Sequence, residues 1–344
     1  MAYTTINKST DYFNPKLYSG TGSSQNITGV GFQPDFTWIK SRSTTHEHKL
    51  IDVVRGVTKA VASDNTTQEF TDVQGLTAFG SDGYTIGTDS YYNTNGHNYA
   101  SWNWKAGNSQ GSSNTAGSIN TAYTSVNTTA GFSISTYTGT GSTATVGHGL
   151  GVAPAMIIIK STSFAEDWLV YHQSMGNTHA INLNLTNASS SSVNYWQNTT
   201  PSSSVFYIGA NDKHNKSGAT YVAYCFAEKK GYSKFGSYVG NGNANGAFVY
   251  TGFKPAFVMI KITNDTGENW QMYDNKRTGF NVDNNMLRAN LNNAEQTDDD
   301  IDLLSNGFKL RRSSGSFNSD GANYIYMAFG QSIVGSNNVP ANAR

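Results

Sequence analysis

Three stretches of the chain share one pattern of apolar and polar positions: GFQPDFTWIK (31–40), GVAPAMIIIK (151–160) and GFKPAFVMIK (252–261). In each, Gly and Pro lead into a run that closes on Lys. Phe36 and Trp38 alternate with Thr37 and Ile39, Met156 and Ile158 with Ile157 and Ile159, and Phe257 and Met259 with Val258 and Ile260. Runs that are apolar on both faces predict central strands covered on both sides. The fixed φ of proline suits an extended or turn lead-in. Lys40, Lys160 and Lys261 are expected where each strand reaches water.

Two further anchors recur in the same order. A Tyr-x-Gly-x-Gly opening begins at Tyr18, Tyr137 and Tyr238, and leads toward a hairpin rather than a helix. A closing strand appears as NGHNYASWNW (95–104), SGATYVAYCF (217–226) and DGANYIYMAF (320–329). The opening Tyr precedes the motif proline by 16, 17 and 17 residues, and the last closing aromatic follows it by 86, 89 and 91. A period of this size marks a repeated structural unit.

The closing strands alternate strictly. Ala100, Trp102 and Trp104 share a face with their counterparts Val222, Tyr224, Phe226 and Ile325, Met327, Phe329. Between the anchors, HKLIDVVRGVTKAVA (48–62) fits an amphipathic helix in isolation, but its counterparts DWLVYHQSMG (167–176) and NWQMYDNKRTG (269–279) read as strands with turns. The repeat decides for β. A further strand is expected near Tyr84–Ile86, Phe206–Ile208 and Phe308–Leu310.

The predicted fold is therefore all-β, with three tandem β-sandwich-like repeat units of about 90 residues. An N-terminal arm (1–12) precedes unit 1 (13–107). A Gly/Ser/Thr/Asn connector (108–131) leads to unit 2 (132–230), which is followed by unit 3 (231–331) and a C-terminal tail (332–344). The connector reads as flexible or draped over the surface. The arm reads as a docking segment for another protein or as a frayed end.

Composition agrees with a β protein and narrows its partners. Charged residues make up 13% of the chain, 23 basic against 23 acidic, and the polarity comes from Asn, Ser, Thr and Gly. A neutral, hydroxyl- and amide-rich surface lacks the basic surplus that nucleic acid requires, so no nucleic-acid partner is expected. Cys225 is the single cysteine, which rules out an intrachain disulfide, and its strand position predicts a small buried residue. No apolar run is long enough for a membrane span and no secretory h-region is visible, so cytoplasmic synthesis is expected.

Candidate chemistry is sparse. His46 and His48 have strand spacing for one face, but no third metal ligand can be named. Asp298, Asp299, Asp300 and Asp302 form an acidic run in an expected long loop, without EF-hand spacing. Asp52, His172 and Asp274 occupy equivalent positions, with Arg55 and Arg277 three residues after two of them, as in a local Asp–Arg turn contact. No catalytic residue, metal site or cofactor is predicted. The loops YYNTNGH (91–97) and SSVNYWQNTTPSSS (191–204) lack evident counterparts in the other units, which makes Tyr91, Tyr92, Tyr195 and Trp196 candidate glycan or receptor contacts.

GFQPDFTWIKSRS, IDVVRG, VGHGLGVAPAMIIIK, ATYVAYCFAEKKGYSKFGSYVGNG and GFKPAFVMIK followed by YDNKR resemble a family of phage-borne proteins. That family is frequent in marine bacteriophages and described as virion structural or tail-fibre-like, and the likeness covers residues 13 to 331. The resemblance implies a non-enzymatic place on the particle exterior, as a fibre, appendage or capsid-decorating component. It also implies contacts with other virion proteins and with copies of the same chain, as in trimeric fibres. A host-surface glycan adhesin is the alternative, and a polysaccharide depolymerase a third reading.

Overall fold

The computed structural model describes residues 3–278, 281 and 283–334, without the side chains of 298–300. The first unit comprises β1 (Phe13–Ser19), β2 (Gln25–Thr28), β3 (Phe36–Ser41), β4 (Lys49–Asp52), β5 (Lys59–Ala60), β6 (Phe70–Thr71), β7 (Leu76–Gly80), β8 (Gly83–Ile86), a one-turn helix α1 (Ser90–Asn93) and β9 (Asn98–Trp104). The second has β10 (Tyr123–Asn127), β11 (Phe132–Thr138), β12 (Ala144–Gly147), β13 (Met156–Ser161), β14 (Leu169–His172), β15 (His179–Asn182), β16 (Ser190–Ser191), α2 (Val193–Trp196), β17 (Val205–Ile208), α3 (Asp212–Asn215) and β18 (Thr220–Phe226). The third has β19 (Ser233–Val239), β20 (Phe248–Tyr250), β21 (Lys254–Ile262), β22 (Gln271–Asp274), β23 (Asp283–Arg288), β24 (Gln296–Leu304), β25 (Gly307–Leu310), α4 (Gly315–Asn318) and β26 (Asn323–Gln331).

One antiparallel order recurs in three sheets: β1-β9-β3-β4, β11-β18-β13-β14 and β19-β26-β21-β22. Each opening strand pairs with its closing strand, and the motif strand lies on the closing strand's other side. A smaller outer pairing faces each sheet: β2 with β8, β12 with β17 and β20 with β25. The all-β, sandwich-like class is as expected.

The two faces of the central strands go to different cores. Phe36, Trp38, Trp102 and Trp104 join Met156, Ile158, Tyr224, Phe226, Phe257, Met259, Met327 and Phe329 in one cluster drawn from all three sheets. Phe13, Trp104, Phe226, Phe257 and Phe329 meet there, with Trp104 in ring contact with each of the other four. The opposite faces fill three separate clusters, each beneath its own outer layer. Cys225 is buried in the second of these, in the place its alternation predicts. The units are thus pressed together through a shared core, and burying an aromatic of this size contributes about 1.5–3 kcal/mol.

The Tyr-x-Gly-x-Gly opening turns the chain out of the central sheet and toward the outer one, instead of forming a hairpin with the next strand. A Cβ on Gly20, Gly139 or Gly240 would collide with the carbonyl of Thr94, Lys216 or Ser319. Gly22, Gly141 and Gly242 have φ of +73°, +75° and +61°, where L side chains are strained. The buried amides of Asn93, Asn215 and Asn318 hold the turns by accepting from the backbone N–H of Thr21, Thr140 and Asn241. The opening tyrosines stack on Tyr99, Tyr221 and Tyr324 at 5.0, 5.4 and 5.0 Å.

Three expectations change. The 108–131 stretch carries β10, which pairs with β11 and buries Thr124 and Ser125. The arm docks on its own chain: Ile6 enters the shared core, and the Ser9 N–H donates to Gln331 Oε1 at 2.7 Å. Residues 298–300 belong to strand β24 rather than to a long loop, and their carboxylates lie outside the described residues.

Replacing Gly139 by Ala is expected to cost at least about 2 kcal/mol of unfolding free energy, since backbone must move to admit the methyl. Gly218→Ala, at φ +75° with nothing within 4 Å, should cost only about 1 kcal/mol. Chemical denaturation of both variants measures the difference; equal losses would contradict the steric account.

Candidate functional site

The seams between units concentrate the polar chemistry, and they repeat around the body. His48, Trp168 and Trp270 directly precede β4 and its two counterparts, and each donates a ring N–H across a seam. Trp168 Nε1 donates to Ala62 O at 2.8 Å and Trp270 Nε1 to Asn182 O at 3.0 Å. His48 Nδ1 accepts from Trp38 Nε1 at 2.8 Å, so the proton belongs on Nε2, which lies 2.9 Å from Arg288 O. Burial holds the His48 imidazole well below its ordinary pKa, in keeping with that neutral tautomer.

Asp52, His172 and Asp274 end β4, β14 and β22 and are all fully buried. The Asp–Arg turn contacts are present at 2.6 Å to Arg55 and 2.7 Å to Arg277. These residues also bridge the seams. Asp52 accepts from the Tyr224 hydroxyl at 2.8 Å, Asp274 accepts from Trp102 Nε1 at 3.0 Å, and His172 Nε2 lies 3.1 Å from Tyr326 O. Tyr224 and Trp102 hold equivalent places in their strands; the third place is Met327, which has no donor, so His172 turns to the adjacent carbonyl. The sequence pattern showed the local contact and missed the bridge.

The expectation for the motif lysines is overturned. Lys40, Lys160 and Lys261 have no solvent exposure. Loops of adjacent units cover two of the strand ends. Lys160 Nζ donates to Thr66 O and Glu166 O at 3.1 and 2.9 Å, and Lys261 Nζ to Thr186 O and Glu268 O at 3.1 and 2.6 Å. Lys40 Nζ donates to Ser41 O at 2.7 Å. Desolvation lowers all three to a pKa of about 8, against the pull of nearby carboxylates.

The equivalent grooves along the seams differ in what fills them. Between units 1 and 2, Arg55 reaches Glu69 at 3.3 Å, Gln110 Nε2 donates to Val54 O, and Tyr123 of β10 closes in, leaving about 260 Å³. Between units 3 and 1, Arg277 and Arg42 converge on Glu295, the latter through two bonds of 2.9 and 2.8 Å. Between units 2 and 3 the corresponding residues are Met175 and Ser189. There a groove of about 480 Å³ stands open, lined also by Ser174, His179, Ser237, Thr263 and Asn323.

The four aromatic candidates fare differently. Tyr92 and Trp196 are buried, with 0% and 1% exposure, and cannot meet a glycan. Trp196 Nε1 donates to His179 O, and its ring packs on Tyr171. Tyr91 is half-buried over the Lys49 ammonium and beside His46, and the Tyr195 hydroxyl bonds Ser190 Oγ at 2.9 Å. The structure does not bring the two pairs together. The 91–97 segment does have counterparts, because α1, α3 and α4 are equivalent turns that bury Tyr92, His214 and Phe317. His46 and His48 share no ligand geometry, and the described residues contain no cluster of three metal-ligating side chains.

The lysines make stability depend on alkaline pH. With a folded pKa near 8 and an unfolded value of 10.5, the unfolded chain holds more protons between those limits, so folding strengthens as pH rises through that window. Cys225 and the buried tyrosines, which burial holds above their ordinary values, act in the opposite sense toward the top of that window. Urea denaturation from pH 7.5 to 9 should therefore show an unfolding free energy that gains less with pH in Lys160→Met than in the parent chain. Identical pH dependence in the two would contradict this.

No curated protein and no solved structure matches the chain. A family described as a domain of unknown function, DUF7483, matches residues 8–332, which takes in all three central sheets and every seam. The chain belongs to the DUF7483 family.

Proposed function

We propose that this chain is a non-enzymatic structural component of a phage particle, a tail fibre, appendage or capsid-decorating protein that works through protein–protein assembly. The observation that carries the reading is how the buried ionisable groups are used. The charged and imidazole groups of Lys40, Lys160, Lys261, Arg55, Arg277, His48 and His172 are engaged in holding units together or bracing the turns beside the seams. Groups satisfied in this way brace a rigid body, as a structural role requires.

Assembly would use shape and apolar contact more than charge, since the chain carries no net charge. Phe248 and Tyr250 on β20 are 45% and 55% exposed, and β20 ends the eight-stranded sheet. An exposed edge with two aromatics on one face suits contact with another protein.

Particles purified by density gradient from the phage whose genome encodes the chain should contain it as a repeated, stoichiometric component, read by quantitative mass spectrometry and immunogold labelling. Tyr250→Glu should lower its incorporation several-fold while the purified chain still folds. Absence of the chain from washed particles would overturn the proposal.

A further inference from the structure

The seam between units 2 and 3 is a binding site for an uncharged saccharide, we infer, and its hydroxyl and amide groups recognise a neutral hexose or N-acetylhexosamine residue. The inference stands on this groove alone, whether or not the chain belongs to a particle.

The three seams differ in their charged residues. Where the other two place Arg55 with Glu69 and Arg277 with Glu295, this seam has Met175 and Ser189, and no cation or carboxylate lines the opening. No strand equivalent to β10 fills it, and Thr263 stands in the place of Arg42. The volume of about 480 Å³ lies within the ordinary range for a small-ligand cleft.

The lining matches sugar chemistry. Ser189 Oγ is engaged with Thr263 O, whereas the Ser174 and Ser237 hydroxyls and the Asn323 side-chain amide make no hydrogen bond among the described residues. His179 uses Nδ1 on Thr178 Oγ1 and keeps Nε2 unengaged. These donors and acceptors lie beside the half-buried Met175 side chain. A saccharide presents the same mixture, ring hydroxyls at its edge and C–H groups on its face. A phosphate or sulfate would find no cation, and an extended peptide would find the Phe235 carbonyl of β19 already accepting from Gln173 Nε2 at 2.6 Å.

The test uses the full chain on an array of neutral, acidic and sulfated glycans, followed by saturation-transfer NMR with the best ligands. Neutral saccharides should bind. The double variant Met175→Arg/Ser189→Glu, which rebuilds the pair found at the other seams, should keep the parent circular dichroism and lose binding at least ten-fold. Asn323→Ala tests the site without adding bulk or charge and should weaken binding several-fold, while Tyr195→Ala should leave it unchanged. Failure to bind any neutral saccharide, preference for acidic glycans or peptides, or full binding by both groove variants would overturn the assignment.

Discussion

The constraint behind this structure is that each central sheet must hide both of its faces. A sheet with one apolar face can lie on a single layer and meet water on the other side. Here β3 and β13 are buried throughout and β21 from Phe257 onward, and the outer pairings cover one face only. The other face has to find the remaining two sheets, and three two-faced sheets satisfy one another around a common aromatic centre.

Closing the body in this way carries polar backbone and strand ends out of water, and the seams answer that cost. A buried unsatisfied group costs about 1–3 kcal/mol, so each seam supplies a partner. The same place is solved with different chemistry: an aspartate receiving a tyrosine hydroxyl, a histidine meeting a carbonyl, and an aspartate receiving an indole N–H. Geometry is kept and residue identity varies. That freedom lets one seam lose its ion pair and open a groove without breaking the body.

Much of the fold was legible because periodicity reports burial. The two alternating sets in the closing strands separate into shared and private cores as the pattern implies, and the repeat chose strand over helix for 48–62. What stayed hidden depends on neighbours distant in sequence. A lysine at a strand end normally reaches water, and nothing near Lys160 reveals that Thr66 will cover it. Tyr92 and Trp196 lie in polar segments that look like exposed tips, yet each plugs the core of its own unit. The open groove left a faint trace: Arg follows the equivalent position by three residues in two units, and Met175 stands in the third.

Differential scanning calorimetry of the whole chain tests the shared core most directly, because a core drawn from three sheets should melt as one. The account predicts a single transition whose calorimetric enthalpy equals its van't Hoff enthalpy. Two or three separable transitions, each of the size expected for about 90 residues, would show that the sheets are stable apart and that the common centre does not bind them together.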